Sequence, residues 1–285
     1  MNVGSLFAGI GGFDLGLERA GMRTVWFCEQ DEYCQRVLAR HWPGVPCYSD
    51  VRSLVADPPS QRDAAVAGEL PEKGTVSGSA DGGRGGRVPV PVSPIDVLVG
   101  GFPCQDISVA GKGAGLDGAR SGLWSEYARL IGELRPSYVI VENVTALLGR
   151  GVGRVLGDLA ALGYDAEWDC IPAAAVGAPH RRDRIWIVAY PAGVGSRDTQ
   201  HAGTGSTEVA AAGVCSALPR EVADARCIAG EADGWWAVEP NVGRVAHGVP
   251  ARVDRLRSLG NALVPQIAEW IGHRIREHEE GGVKA

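Results

Sequence analysis

Apolar and polar positions alternate along the first 50 residues in a pattern that predicts strand, helix, strand and helix. The strands are "VGSLFAG" (3–9) and "RTVWFCE" (23–29), and the helices are "GFDLGLERAG" (12–21) and "DEYCQRVLARHW" (31–42). Gly21 stands where a left-handed residue would end the first helix, and Asp31 stands where a cap would begin the second. This alternation favours a parallel sheet that is covered by helices.

The same alternation returns after residue 94 and continues to the end of the chain. Further strands are predicted at 95–101, 138–143, 165–172 and 184–191, and helices within 121–134, 152–163 and 264–278. The last helix is amphipathic: Pro265 leads it, and Ile267, Trp270, Ile271 and Ile275 form its apolar stripe. With a short strand presumed before Asp50, we expect about seven strands in one open, doubly wound, mostly parallel α/β sheet.

Two segments interrupt this rhythm. Residues 57–94 are rich in Gly, Pro and Ser without apolar periodicity, which predicts a flexible insertion. Residues 191–250 are small and polar, with "GWWAVEPN" as their aromatic anchor, which predicts a small irregular subdomain. The expected organisation is one main domain, 1–190 plus 251–285, that carries both segments.

Charge and cysteine content exclude several classes of protein. A formal net charge of −6 argues against coating of nucleic acid by bulk electrostatics, although arginines cluster at 180–184 and 251–257. The seven cysteines form no C-x-x-C pair, so we expect no metal centre and a reducing, cytoplasmic location. We expect no membrane segment, because no apolar run approaches the roughly 18 residues that a spanning helix needs.

Polar and glycine-rich positions follow the first strands, at the edge where open α/β sheets bind ligands. "FAGIGG" (7–12) is a turn that lets a ligand approach the backbone, although Asp14 breaks the dinucleotide fingerprint and a plain tight turn is the alternative. Glu29 follows about 20 residues later, where an acid reaches ribose hydroxyls, and Asp50 follows the presumed third strand. Glu29 alone could be a capping or solvated carboxylate. Together these residues indicate an adenosine-bearing cofactor without a pyrophosphate, such as S-adenosylmethionine.

A cysteine and a glutamate follow two later strands. Cys104 comes after Pro103 and before a long Gly-rich loop that could close over a substrate; a buried structural thiol is the alternative. Glu142 ends "YVIV", where a carboxyl could protonate a ring nitrogen. An ion pair with the arginines of 180–184 is the other interpretation of Glu142, and both can hold.

These residues, in this order, resemble the DNA cytosine-C5 methyltransferase family of bacterial or phage type. The similar blocks are "FAGIGG", Glu29, Asp50, "GGFPCQ" (100–105), "ENV" (142–144), "HRRDR" (180–184, similar to Q-x-R-x-R) and "SLGNALVP" (258–265). The likeness covers nearly all of the chain except 57–94 and 191–248. His180 departs from the family's usual glutamine, and 57–94 is longer than the family usually carries.

The resemblance implies an S-adenosylmethionine-dependent enzyme that methylates a specific cytosine in double-stranded DNA. The thiolate of Cys104 would add to C6 of a flipped-out cytosine, Glu142 would hold or protonate N3, Arg184 would bind O2 and Arg182 would steady the site. Residues 191–250 would recognise the target. The implied cofactor residues are Phe7, Ala8, Gly9, Gly11, Gly12, Glu29, Asp50, Val51, Pro103, Asn261 and Ala262.

Three rival functions are weighed against this one. The family's RNA branch methylates tRNA, but its Cys-Phe-Thr signature is absent here. A nicotinamide-dependent oxidoreductase is disfavoured by Asp14, and a silent DNA-binding module would have little need of Cys104, Glu142 and Arg184 together. The expected partners are double-stranded DNA and a cognate restriction endonuclease, with the enzyme itself a monomer.

Overall fold

The computed structural model describes residues 1–57, 89–103, 123–193 and 252–282. Cys104, residues 58–88 of the predicted insertion and residues 194–250 of the predicted recognition region therefore lie outside the described residues. The strands are β1 (Asn2–Leu6), β2 (Arg23–Cys28), β3 (Cys47–Tyr48), β4 (Leu54–Ala56), β5 (Val90–Val92), β6 (Val97–Gly100), β7 (Tyr138–Val144), β8 (Tyr164–Ile171) and β9 (Arg184–Pro191). The helices are α1 (Gly12–Arg19), α2 (Glu32–His41), α3 (Leu123–Leu134), α4 (Leu147–Arg150), α5 (Val152–Ala161), α6 (Arg252–Asn261) and α7 (Pro265–Gly282).

The main sheet of the described ranges has seven strands in the order β3-β2-β1-β6-β7-β9-β8. All neighbours are parallel except β9, which runs antiparallel to both β7 and β8. The strand order reverses at β1, where Leu6 pairs with Gly100 of β6. This reversal opens a crevice beyond the carboxyl ends of β1 and β6, which is where open α/β sheets bind ligands. The predicted mostly parallel sheet is confirmed.

Helices cover both faces of the sheet, as a doubly wound fold requires. On one face, α3 buries Trp124, Tyr127, Leu130 and Ile131, and α5 adds Val155 and Leu159. On the other face, Phe13 and Leu17 of α1 pack with Ile267, Ile271 and Ile275 of α7. The stripe predicted for the last helix is therefore the stripe that it buries, with Trp270 half-buried at its margin.

Helices α1 and α7 approach each other unusually closely. A Cβ at Gly16 would lie 2.2 Å from the carbonyl oxygen of Pro265, and one at Gly272 would lie 2.7 Å from the Cβ of Ala20. Arg276 adds a hydrogen bond of 3.0 Å to the Ala20 carbonyl. These contacts fasten the last helix to the first one.

The predicted helix boundaries near the N-terminus are confirmed. Asp31 caps α2 by accepting hydrogen bonds from the backbone N–H groups of Tyr33 and Cys34. Gly21, at φ +84°, follows the end of α1 in the left-handed conformation. No helix in the described part of the chain is both long and apolar enough to cross a bilayer.

The end of the predicted insertion is ordered, which corrects the expectation that 57–94 lacks regular structure. Val90–Val92 pairs in parallel with Leu54–Ala56, and the Trp26 indole donates to the Ser93 carbonyl at 3.1 Å. Val92 is buried, while Pro91 between the two valines is exposed. A proline is tolerated in this strand because it lies at the edge of a two-stranded sheet.

Asp14 is fully buried in the first turn of α1. Its carboxylate accepts hydrogen bonds from the hydroxyls of Ser5 in β1 and Thr24 in β2, at 3.1 and 2.9 Å. Burial raises the pKa of Asp14 to about 7, against the opposing effect of these two donors. The residue that breaks the dinucleotide fingerprint thus links α1 to two strands.

Candidate active site

A cavity of about 630 Å³ opens at the carboxyl ends of β1, β2, β6 and β7. This volume lies within the range that proteins use for small-molecule ligands. Twelve of the residues proposed from the sequence line it: Phe7, Ala8, Gly9, Gly12, Glu29, Asp50, Val51, Pro103, Glu142, Arg184, Asn261 and Ala262. The fold therefore gathers residues from positions 7 to 262 into one site.

The turn after β1 forms one wall of this cavity. Phe7, Gly9 and Gly11 all have positive φ, at 53°, 55° and 82°, which L-residues with side chains seldom adopt. Among the described residues other than its chain neighbours, none has an atom within 4 Å of the position that a Cβ at Gly9 would take, so the backbone there leaves space for a ligand. A Cβ at Gly11 would instead lie 2.5 Å from the Trp42 ring. Gly11 is thus a packing position, not a residue that lines the cavity.

Glu29, directly after β2, is held by the backbone. One carboxylate oxygen accepts from the N–H of Gly9 and the other from the N–H of Asp31, each at 2.8 Å. Burial raises the pKa of Glu29, and the hydrogen bond from Gly9 opposes that rise. The carboxylate is therefore fixed beside the glycine turn, with lone pairs left to accept hydrogen bonds from a ligand.

Asp50 and Val51 form the next part of the wall, after the short strand β3. The Asp50 side chain accepts a hydrogen bond from the backbone N–H of Arg52 at 3.1 Å and so caps the short 3-10 helix Val51–Ser53. Val51 is buried, and its carbonyl accepts from the Arg129 guanidinium at 3.2 Å. A local cap and one long-range hydrogen bond thus position this pair.

The segment 257–263 closes the cavity from the far end of the sequence. Arg257 pairs with the Asp31 carboxylate, and the Ser258 hydroxyl lies 3.4 Å from the Cys34 sulfur. Asn261 and Ala262 were predicted from the sequence, but the contacts that hold their segment were not. The only signal in the sequence was the arginine cluster at 251–257, whose partner on α2 could not be identified without the fold.

Glu142 and Arg184 form a partly buried ion pair on the opposite wall. The Arg184 Nε donates to a Glu142 carboxylate oxygen at 3.0 Å, and the two side chains are 22% and 12% exposed. Antiparallel pairing brings them together, because Arg184 of β9 pairs with Val144, which lies two residues from Glu142 on β7 and so on the same face of the sheet. Burial raises the pKa of Glu142 to about 7, although the Arg184 guanidinium lowers it. A carboxyl with this pKa can hold and release a proton near neutral pH.

The segment after β6 runs between these two walls. Gly101 lies against the Glu142 carboxylate: a Cβ there would lie 2.9 Å from Oε2. The Asn143 side-chain amide donates to the Phe102 carbonyl at 3.1 Å and so fixes the chain just before Pro103. Cys104 follows Pro103 and lies outside the described residues.

Arg182 does not line the cavity. Its guanidinium donates from Nη2 to the carbonyl oxygens of Gly260 and Ala262, at 2.7 and 2.6 Å. The predicted role of Arg182 in steadying the site stays a prediction; its hydrogen bonds go to backbone carbonyls. Of the four proposed catalytic residues, the structure brings together Glu142 and Arg184. It places Arg182 behind the segment 257–263, which we call the C-terminal wall.

Comparison with known proteins gives matches over most of the chain. The family model described as C-5 cytosine-specific DNA methylase matches residues 1–68 and 84–209. The Type II methyltransferase M2.BsuMI of Bacillus subtilis (strain 168) is 32% identical over 197 residues, covering 66% of this chain and 42% of that protein. The Type II methyltransferase M.NgoBI of Neisseria gonorrhoeae is 30% identical over 189 residues, covering 65% of this chain and 49% of that protein.

Among solved structures, the methyltransferase EhMeth of Entamoeba histolytica is 14% identical, with a TM-score of 0.48. The match covers 72% of this chain and 57% of that one. The chain spans about half the length of the curated relatives that it matches.

Proposed function

The chain belongs to the C-5 cytosine-specific DNA methylase family, and we propose that it transfers a methyl group from S-adenosylmethionine to C5 of a specific cytosine in double-stranded DNA. One observation carries the proposal. One cavity has a backbone-held carboxylate beside an open glycine turn on one wall and a partly buried carboxyl with a raised pKa on the other. A cofactor and a base that must react with each other need such a shared site.

The residues present fit S-adenosylmethionine. A ribose diol needs acceptors, which Glu29 has, and the cofactor has no pyrophosphate to require a third glycine at Asp14. The holding residues would be Phe7, Ala8, Gly9, Gly12, Glu29, Asp50, Val51, Pro103, Asn261 and Ala262, with Gly11 keeping the turn in shape. When bound, this cofactor supplies an electrophilic methyl group on a sulfonium sulfur.

The chain's own residues would carry the other steps. The Cys104 thiolate adds to C6 of a cytosine that has left the base stack, and the C5–C6 π electrons become available at C5. The Glu142 carboxyl gives its proton to N3, which neutralises the charge that the attack creates. Arg184 holds that carboxyl and donates to O2 of the base.

Release of the product reverses the addition. A base removes the proton from the methylated C5, the C–H electrons re-form the C5–C6 double bond, and the thiolate leaves C6. Glu142 takes back the N3 proton, so the protein returns to its starting state. Because Cys104 must stay a free thiol, we propose a reducing, cytoplasmic setting.

Other parts of the proposal concern recognition and partners. We propose that residues 191–250 read the bases around the target and that the enzyme acts as a monomer. The named relatives are type II methyltransferases, and we propose by extension that a cognate restriction endonuclease recognises the same sequence.

The experiment expresses the chain and its Cys104→Ala variant in cells that lack cytosine-C5 methylation. Bisulfite sequencing of the genome should show protected cytosines in one sequence context with the wild type and none with the variant. Purified wild-type protein should also transfer labelled methyl groups to duplex DNA. An unmodified genome alongside methylated tRNA would overturn the proposal, as would transfer retained by the variant.

A further inference from the structure

The proposed chemistry assigns no step to Arg182. It is one of three described non-glycine residues with positive φ, at 39°. Such a conformation is unfavourable for a residue with a side chain and persists where surrounding contacts over-determine it. Its Nε is buried and has no hydrogen-bond partner in the part of the chain that the structure describes. The backbone is strained in order to place this side chain.

The Arg182 side chain extends to the C-terminal end of α6. Both of its hydrogen bonds go to backbone carbonyls there, Gly260 in the last turn and Ala262 just beyond it. The last carbonyls of a helix have no intrahelical partner and carry the negative end of its dipole. A guanidinium satisfies both requirements, because it brings a positive charge together with several donors.

The carbonyls that Arg182 holds flank Asn261, which lines the cavity together with Ala262. The other end of the same wall is fastened to α2, through Arg257 with Asp31 and Ser258 with Cys34. The wall therefore spans the cavity mouth between two anchor points. Arg182, which precedes β9, is the anchor on the side of Glu142 and Arg184.

We propose that Arg182 is a positioning residue that fixes the C-terminal wall and thereby sets the affinity for the cofactor, without touching the base. This inference rests on the proposed function for the identity of the cofactor. Arg182 and Arg184 then have different roles. Arg184 acts on the reacting base through the cavity, and Arg182 acts through backbone carbonyls behind it.

The first test measures the dissociation constant of S-adenosylhomocysteine by calorimetry, without DNA, for the wild type, Arg182→Ala, Arg182→Lys, Arg184→Ala and Arg181→Ala. Arg182→Ala should weaken binding at least tenfold, and Arg182→Lys should recover part of it, because an ammonium can still donate to these carbonyls. Arg184→Ala should bind within threefold of the wild type while losing methyl transfer. Arg181, whose side chain is 83% exposed, is the matched control and should bind as the wild type does.

The second test measures amide hydrogen exchange in the free protein. Arg182→Ala should speed exchange in residues 257–264 at least tenfold and leave β1 and β2 unchanged. Should Arg182→Ala fail to fold, Arg182→Lys gives the same comparison with a smaller change. Wild-type cofactor affinity and unchanged exchange in these variants, with methyl transfer lost, would overturn the inference and assign Arg182 to the base.

The two proposals fail in different ways. A wild-type protein that binds no S-adenosylhomocysteine overturns the proposed cofactor and, with it, the affinity claim. The exchange of 257–264 would still report whether Arg182 anchors the wall, because that measurement needs no ligand.

Discussion

The two walls of the cavity each hold a partly buried glutamate, by different means. Glu29 accepts from two backbone N–H groups, whereas Glu142 is paired with the guanidinium of Arg184. Burial raises the pKa of both carboxyls. A backbone amide is fixed by the fold, so Glu29 is a rigid acceptor; a side-chain ion pair can rearrange as a substrate enters, so Glu142 can gain and release a proton. Under the proposed function, the type of partner would separate cofactor binding by Glu29 from proton transfer by Glu142.

The largest effect is expected from Glu142→Gln. An amide keeps the shape of the carboxyl but gives no proton to N3, so the turnover number should fall at least about 100-fold, as for loss of a general acid. The affinity for S-adenosylhomocysteine should stay within twofold. Labelled methyl transfer and calorimetry measure the two quantities, with the exposed Glu277→Gln as control. A turnover number within fivefold of the wild type would contradict the assignment of proton transfer to Glu142.

Glu29→Gln should give the opposite result. In the glutamine, the side-chain NH2 would face a backbone N–H group, so one of the two hydrogen bonds is lost. The oxygen that would accept from a ribose hydroxyl also loses its charge. Cofactor affinity should weaken about 10- to 100-fold, equivalent to roughly 1.4–2.8 kcal/mol. The turnover number at saturating cofactor should change less than threefold. A variant that loses turnover but keeps its affinity would contradict the assignment of Glu29 to binding.

The titration of the Glu142 carboxyl gives a further test of the difference between the two walls. Its carboxyl donates only when protonated, so with a pKa of about 7 the donor fraction should fall tenfold per pH unit above that value. Arg184→Gln removes the guanidinium that lowers this pKa and should move the titration to higher pH. Carbon-13 NMR of labelled glutamate carboxyls in the free protein follows it, with Glu142→Gln identifying the signal. An unchanged midpoint in Arg184→Gln would mean that the ion pair does not tune the donor.

The smallest effect concerns Asp14, a third buried carboxyl, which is held by hydroxyls instead of amides or a guanidinium. Its folded pKa lies above the ordinary value of 3.8, so its contribution to stability is complete below about pH 4 and is lost as pH rises through about 7. Wild-type stability should therefore fall relative to Asp14→Asn by about 1 kcal/mol between pH 6 and pH 7. Urea unfolding measures this, with the exposed Glu32→Gln as control. Parallel pH profiles for wild type and Asp14→Asn would show that Asp14 does not titrate in this range.

Much of the fold could be predicted because its signals are local. The apolar runs and caps around Gly21, Asp31 and Pro265 depend on neighbours in the chain, so helix ends and strands followed from the sequence. Glu29 and Glu142 could be proposed because both come directly after buried strands, and the ends of parallel strands meet at one edge.

What could not be predicted depends on pairing between distant segments. Asp14 reads as an ordinary polar helix residue until β1 and β2 bring Ser5 and Thr24 to its carboxylate. The resemblance gave Arg182 and Arg184 different roles, but the backbone carbonyls that Arg182 binds, those of Gly260 and Ala262, could not be identified without the fold. The strand Val90–Val92 has no signal of its own, because three residues with a central proline form a strand only where a partner exists.

The close contact of α1 with α7 has a consequence during synthesis. The apolar face of the first helix, with Phe13 and Leu17, cannot be covered until the last helix has left the ribosome. At translation rates of 5–20 residues per second, that delay is roughly 15 to 50 seconds for the residues that separate the two helices. The nascent chain therefore carries an uncovered apolar surface until α7 emerges, and we expect chaperones that bind such surfaces to govern how much of the protein a cell accumulates.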